Sequence, residues 1–397
     1  MTDARETGHS IKTLRTVEEV ASLRLIWEAM QKHPNTDIDS FVAIVECRGE
    51  IVRPHVIVMF AGERAVAMAI GRIENIRIDC HVGYKTVFAP KARSLTFVYE
   101  GILGDESCWK LLMREMLAAL KRREADVLHL ASLRAGSTFN ELARHEPGLL
   151  CRDYAVTANT HWQMTVPGSM EDFYKGMSGK HRSELKRTAR LLDKACGGKI
   201  QVKVFTDKEE VGAFCKDVEE VAKITYQRGL GAHSAYSEED LRRLNALAAK
   251  RQLRAYVLYA DGVPISFWYG FVFGETFYLR ATGYDPRFKK YEPGTVLFVR
   301  MLEDVCSLMT ARKIDFGFGD AFYKSRFGDD KWEEEEFWIF PCTARGVALN
   351  IARTVVVSCG TVSRRLMRAV KLEDRAKSIW RRMITPKHPD RERREAQ

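Results

Sequence analysis

The chain has 397 residues, too many for one ordinary hydrophobic core and enough for two domains with an appendage. At 46% hydrophobic and 29% charged residues it is not collagenous or disordered, and nine scattered cysteines without CxxC or CxxH spacing exclude a disulfide framework or zinc cluster and point to a reducing compartment. A net charge of +10 asks for an anionic partner, yet 14 Lys and Arg against 5 Asp and Glu lie from Thr343 onward, so the basicity belongs mostly to the tail.

In chain order, MTDARETGHS lacks the charged-then-apolar pattern of a signal peptide, which leads to the expectation of a cytoplasmic protein. Thr16-Val17-Glu18-Glu19 is a capping-box pattern opening a helix through VASLRLIWEAMQKH. The runs PHVIVMF and RAVAMAIGRI, separated by the turn AGE, predict paired strands, followed by strand SLTFVYE, helix SCWKLLMREMLAALKRR and strand ADVLHLA. YAVTANTHWQMTV closes the first half.

The second half opens with helices SMEDFYKGM and SGKHRSELKRTARLLDK, then strand KIQVKVF and helix KEEVGAFCKDVEEVAKITYQR. Ser237 caps a helix over SEEDLRRLNALAAKR, with Asp240 three residues on. LRAYVLYA and VPISFWYGFVF, joined by Asp261-Gly262, predict a hairpin, TFYLRATGY adds a strand, and helix GTVLFVRMLEDVCSLMTARK runs into KIDFGFG. VIVMFAGERAVAMAIG resembles AYVLYADGVPISFWYG, and WKLLMREMLAALKRREADVLHL resembles VLFVRMLEDVCSLMTARKIDFGF, at an offset of roughly 190 to 200 residues, so two copies of one α/β unit are expected. The boundaries drawn are 1–166, 167–343 and a basic helical tail 344–397.

Between TFYLRATGY and the next helix lies a loop with Arg287, Lys289 and Lys290, ending in Pro293-Gly294-Thr295. A helix start offers free N–H groups and the positive end of the dipole to an anion such as a pyrophosphate. The matching place in the first half carries Asp105 and Glu106, which satisfy the dipole internally and repel phosphate. A nucleotide-like ligand is therefore expected in the second half. Beyond the strand KIDF, FGFGDAFYKSRFG places Asp320, Tyr323 and Lys324 close together after two glycines, an acid, a phenol and a cation that could act on one substrate. Each has a plain structural alternative: Asp320 as a helix cap, Tyr323 as a half-buried aromatic, Lys324 as a solvated cation. Arg182, Lys186 and Arg190 recur at helical spacing, a stripe that could guide a polyanion or simply face solvent. No HExxH, GxSxG, Walker or Rossmann signature is present, and no metal site is expected. His81, His129, His161 and His233 read as isolated structural residues.

The run from GYDPRFKKYEPGTVL through ARKIDFGFGDAFYKSRFGD resembles the C-terminal signature of the CelD/BcsL-like acetyltransferases, members of the GNAT superfamily related to the FemABX peptidyltransferases, and SGKHRSELKRTARLL is similar to their helix opening the second unit. The resemblance implies tandem GNAT-like units with mixed sheets flanked by helices, the second binding acetyl-CoA or another acyl-CoA through Arg287, Lys289, Lys290, Gly294 and Thr295. It implies catalysis by Asp320, Tyr323 and Lys324, and acceptor contacts from Arg182, Lys186, Tyr284 and Asp315. The chain departs from the pyrophosphate signature Gln/Arg-x-x-Gly-x-Gly/Ala, since Glu292 stands where its middle glycine would. The expected activity is acyl transfer to an amine or hydroxyl of a sugar, lipid or polysaccharide precursor. The alternatives are aminoacyl transfer from tRNA, as in FemABX relatives, and a non-catalytic module of a polysaccharide-secretion complex. The basic tail could lie on an anionic membrane surface or pack on the domain.

Overall fold

The structure, a computed structural model, describes residues 8–82, 85–224 and 238–369. Contacts divide the chain into two compact units: the first holds residues up to Thr160 and takes back the segment from Trp332, and the second begins at His161 and ends at Lys331. The divisions therefore fall at 160/161 and 331/332 rather than after 166 and 343, because the last strand of each sequence half is built into the other unit's sheet.

In the first half, β1 (His9–Leu14) is followed by α1 (Val17–Ser22), α2 (Arg24–Met30) and α3 (Ile38–Cys47). Thr16 caps α1 with Glu19 in the expected reciprocal box, but the long helix foreseen there breaks at Leu23, whose ψ of 17° leaves the helical range. β2 (Ile51–Ala61), β3 (Arg64–Arg77), a small ribbon of β4 (Cys80–Val82) and β5 (Lys85–Phe88), and β6 (Lys91–Gly104) come next. Then follow α4 (Trp109–Lys121), β7 (Val127–Arg134), α5 (Thr138–His145) and β8 (Thr157–Thr165). The run VIVM on β2 shows why a strand can be apolar at every position: side chains alternate between faces, and both faces are covered. Val56 and Val58 pack with Trp27 and Phe41 of α2 and α3, while Ile57 and Met59 pack with Leu112 and Met116 of α4.

The second half repeats the plan. After α6 (Met170–Lys175) and α7 (Gly179–Ala195) come β9 (Ile200–Phe205), α8 (Val211–Ala222), α9 (Glu238–Ala249), β10 (Leu253–Ala260), β11 (Val263–Phe273) and β12 (Thr276–Tyr284). A 3-10 turn over Pro286–Tyr291 leads to α10 (Pro293–Ser307), then β13 (Lys313–Phe318), α11 (Phe322–Phe327), β14 (Asp330–Ile339) and α12 (Ala344–Ala369). The same alternation holds on β10, where Ala255 and Val257 face α8 and α9 while Tyr256 and Leu258 face α7 and α10. Asp261 and Gly262 both take positive φ at the expected hairpin turn. The expected cap Ser237, and His233, lie outside the described residues.

Each unit has the same strand sequence. In the first, β1, β2, β3 and β6 are antiparallel neighbours, β7 runs parallel to β6, and β14 closes against β7. In the second, β9, β10, β11 and β12 are antiparallel neighbours, β13 runs parallel to β12, and β8 closes against β13. The parallel pair is joined by a crossover helix in both, α4 and α10. The start of the tail, α12, docks on the first unit through polar anchors: Asn350 donates to the carbonyls of Leu150 and Arg152, and Arg353 pairs with the buried Asp153 at 2.6 Å. The tail residues beyond 369 lie outside the described residues. No helix among the described residues is long and apolar enough to cross a membrane.

Candidate active site

The parallel pair β12 and β13 opens as it runs. Pairing covers Thr276↔Lys313, Phe277↔Ile314 and Tyr278↔Asp315 and then stops, although β12 continues to Tyr284 and β13 to Phe318. A bulge at Arg280, skipped between Leu279 and Ala281 in the register with β11, bends β12 at this point.

At the far end of β12, Asp285 is buried and caps the following turn by accepting from the Arg287 N–H at 2.9 Å. The same carboxylate binds the Arg287 guanidinium, with Nε at 2.8 Å and Nη2 at 2.6 Å, so Arg287 is held by its neighbour while staying largely exposed. Lys289 and Lys290 are exposed, and the Lys290 ammonium lies over the Tyr291 ring at 4.7 Å. Pro293 has no N–H, and the Thr295 and Val296 N–H groups bond to the Glu292 carbonyl, so Gly294 supplies the open N–H at the start of α10. A Cβ on Gly294 would make only ordinary contacts, with Tyr284 at 3.8 Å and the Trp268 indole at 3.9 Å. The fold itself does not require a glycine there, and its smallness is available to a ligand approaching the helix start.

Glu292 takes φ 45° and ψ 54°, the left-handed conformation glycine favours. Its carboxylate does not face the helix start unpaired, because Arg326 donates from Nη1 at 2.8 Å. Arg326 is 5% exposed in its side chain, donates from Nε to His181 Nε2 at 2.9 Å, and places Nη2 3.5 Å from Glu184. That bond makes His181 Nε2 an acceptor. One guanidinium therefore ties α11 to the donor loop and to the basic helix α7. Sequence reasoning missed Arg326 and His181, and no local spacing could have revealed a partnership across 145 residues.

The three candidates Asp320, Tyr323 and Lys324 are neighbours in sequence but point apart. Asp320 is exposed and accepts from the Trp162 indole on β8 at 3.1 Å; the cap position of α11 is Ala321, not Asp320. The Tyr323 ring meets Trp268 edge-on at 4.9 Å and Phe316 at 5.9 Å. Trp268 in turn donates to the Gly294 carbonyl at 3.0 Å, so the phenol is one indole away from the start of α10. Lys324 is buried rather than solvated. Its ammonium donates to the carbonyls of Gly317, at 3.1 Å, and Phe318, clamping the strand end where Gly317 and Gly319 take positive φ. Burial pushes its pKa down to about 8 against partial support from Asp315 and Asp320.

The four acceptor candidates are dispersed likewise. Asp315 is 8% exposed and is taken up internally, by His161 Nε2 at 2.9 Å and the Gly317 N–H at 2.7 Å. The physical reason is its register on β13: Asp315 stands opposite Gln163, and His161, two residues along β8, shares its face of the sheet. Tyr284 is exposed at the end of β12. Arg182 is half-buried near the α7 N-terminus, and the Lys186 ammonium sits over Tyr174 at 5.6 Å. Among the expected structural histidines, His161 pairs with Asp315, His129 with Glu336 at 2.7 Å, and His81 meets Thr86 at 3.1 Å. In the first unit the helix start is self-capped as anticipated: Asp105 accepts from the Ser107 N–H at 2.9 Å and is held below the usual carboxylate range by that bond, while Glu106 accepts from Thr138.

A parallel pair that parts beside a crossover helix, present in each half of one chain, defines a tandem GNAT fold. The crystal structure of FemX has this fold, matching with a TM-score of 0.53 at 11% identity over 83% of this chain and 97% of that one. Residues 179–325, a stretch that holds the loop before α10 and the start of α11, match the family described as acetyltransferase (GNAT) domain. Also similar are a tandem GNAT protein from the clavulanic acid biosynthesis pathway (12% identity, 83% of this chain and 98% of that one, TM-score 0.44) and L-PGS from Bacillus licheniformis (12%, 83% and 98%, 0.44). A comparison with curated proteins finds no match.

Proposed function

We propose that the protein is an acyltransferase that moves an acyl group from acyl-CoA to an amine or hydroxyl of a sugar, lipid or polysaccharide precursor in the cytoplasm. The observation that carries this reading is the pairing of Glu292 with Arg326, which draws the carboxylate that argued against a pyrophosphate at α10 into an ion pair. Gly294 and the helix dipole would meet the phosphates, with Lys289 and Lys290 adding charge. The parting of β12 and β13 beside α10 would give the extended arm of the donor a place to enter.

In the transfer, the acceptor N or O attacks the thioester carbonyl and the C–S bond breaks. Asp320 would take the acceptor proton and the Tyr323 phenol would supply one to the departing thiolate. Lys324 serves the site by fixing the strand end. The glycan or lipid acceptor is favoured only by the resemblance to CelD-like proteins, and the charge pairing at Glu292 weighs against a module without a donor site. Calorimetry with acetyl-CoA, longer acyl-CoAs and charged tRNA tests the proposal. Acyl-CoA binding that Lys289→Glu abolishes, with Tyr323→Phe keeping affinity but losing about a hundredfold in kcat, is the expected result. Binding of charged tRNA alone would replace it with aminoacyl transfer, and silence from every donor would refute it.

A further inference from the structure

The first unit has no use in this scheme, yet it contains a cavity of about 620 Å³ lined by the ends of β3 and β6 and the turn after α4. Four of its lining residues are cations: Arg77, Lys91, Arg93 and Arg123. Arg77 stands directly opposite Lys91 in the antiparallel register, and Asn75 opposite Arg93, so strand alternation turns all four of these side chains to one face. The intervening Ile76 and Ala92 belong to the apolar cluster that includes Leu349 and Val356 of α12. Arg123 enters from a left-handed residue, φ 60°, just past the end of α4.

Like charges directly opposite on neighbouring strands destabilise a sheet. All four cations are exposed, and among the described residues none of them has a carboxylate within ion-pair distance. The one acid lining the cavity, Asp126, is engaged elsewhere. Its Oδ2 accepts from the Arg93 backbone N–H at 2.9 Å, and its Oδ1 lies 3.8 Å from Arg345 of α12. An open recess rimmed by four exposed cations, two of them opposite each other on neighbouring strands, suits a multiply charged anion.

We propose that this cavity binds the diphosphate group of a small molecule, at a site separate from the donor loop. Four cations around a single recess match a diphosphate better than a single carboxylate or monophosphate. The charge then stored in the Arg77 and Lys91 pair is released on binding, so the ligand stabilises the first unit.

The test is calorimetry and thermal unfolding of the full chain with inorganic pyrophosphate at low salt, carried out in a Lys289→Glu background so that the donor loop does not contribute. Pyrophosphate is expected to bind and raise the melting temperature, more tightly than orthophosphate. Arg77→Gln and Arg93→Gln should each weaken it by about tenfold. Lys91→Gln should raise the melting temperature of the free protein while losing the protection pyrophosphate gives. Arg64→Gln, at the opposite end of β3, should change neither. The proposal is overturned if the folded protein ignores pyrophosphate, if orthophosphate binds equally well, or if the Arg77→Gln, Lys91→Gln double variant binds as the parent does. A chain that binds only phosphatidylglycerol vesicles, with no response to pyrophosphate, would also overturn it in favour of a lipid surface.

Discussion

Arg326→Met removes the guanidinium that joins the loop before α10, α7 and α11 and that lies over the Phe322 and Phe327 rings at 5.7 and 5.6 Å. Breaking a fully buried ion pair costs about 3–5 kcal/mol. Glu292 and Glu184 keep 39% and 44% of their side-chain exposure, so water takes up part of the loss and about 2 kcal/mol of stability is expected in the second unit. The effect on donor binding follows from the charge released. A bare Glu292 carboxylate roughly 8 Å from a phosphate, at an effective dielectric constant of about 20, costs about 2 kcal/mol, or about thirtyfold in Kd. Urea unfolding followed by a second-unit tryptophan signal, with calorimetry using acetyl-CoA, measures both. Adding Glu292→Gln should restore most of the affinity, because it removes the charge that Arg326 no longer balances, and the double-mutant cycle isolates that coupling. Acetyl-CoA affinity within twofold of the parent in Arg326→Met, or no recovery in the double variant, would refute the reasoning.

Lys324 predicts a pH dependence in the same unit. Its folded pKa of about 8 lies below the ordinary 10.5, so the unfolded chain binds more protons between these values and stability rises as pH increases from 8 to 10.5; Lys324→Met should abolish that rise in pH-dependent unfolding. His55 acts at the other end of the scale in the first unit: fully buried, its pKa is pushed down by burial to about 4, so stability should fall as pH drops from 6.5 toward 4, and His55→Gln should flatten this part of the acid profile. Arg353→Met strands the buried Asp153, whose pKa burial already raises, and should cost about 3–5 kcal/mol in the unfolding of the first unit, with much of it recovered by Asp153→Asn.

The internal duplication was legible because each copy needs the same physics: a hairpin with positive-φ turn residues, an amphipathic crossover helix and an apolar strand. The VIVM and AYVL runs mark sheets covered on both faces before any coordinate is known. Gly317 and Gly319 were readable for a similar local reason, since positive φ is a property of the residue itself. The unit boundaries were not readable, because β8 and β14 carry no mark of which sheet they join. That choice is made by strand edges left open elsewhere in the chain.

The site divides along the same line. Asp320, Tyr323 and Lys324 looked like one cluster because they are neighbours in sequence, but Asp320 precedes α11 and meets Trp162, while the helical turn rotates Tyr323 toward Trp268 and Lys324 toward the end of β13. The local signals in FGFGDAFYKSRFG and in the loop before α10 are what single these segments out as the candidate site. Only the tertiary structure decided that Glu292 is compatible with it, since the charge that neutralises it comes from Arg326, 34 residues away, and pairing at that separation depends on how the chain packs and not on any local preference.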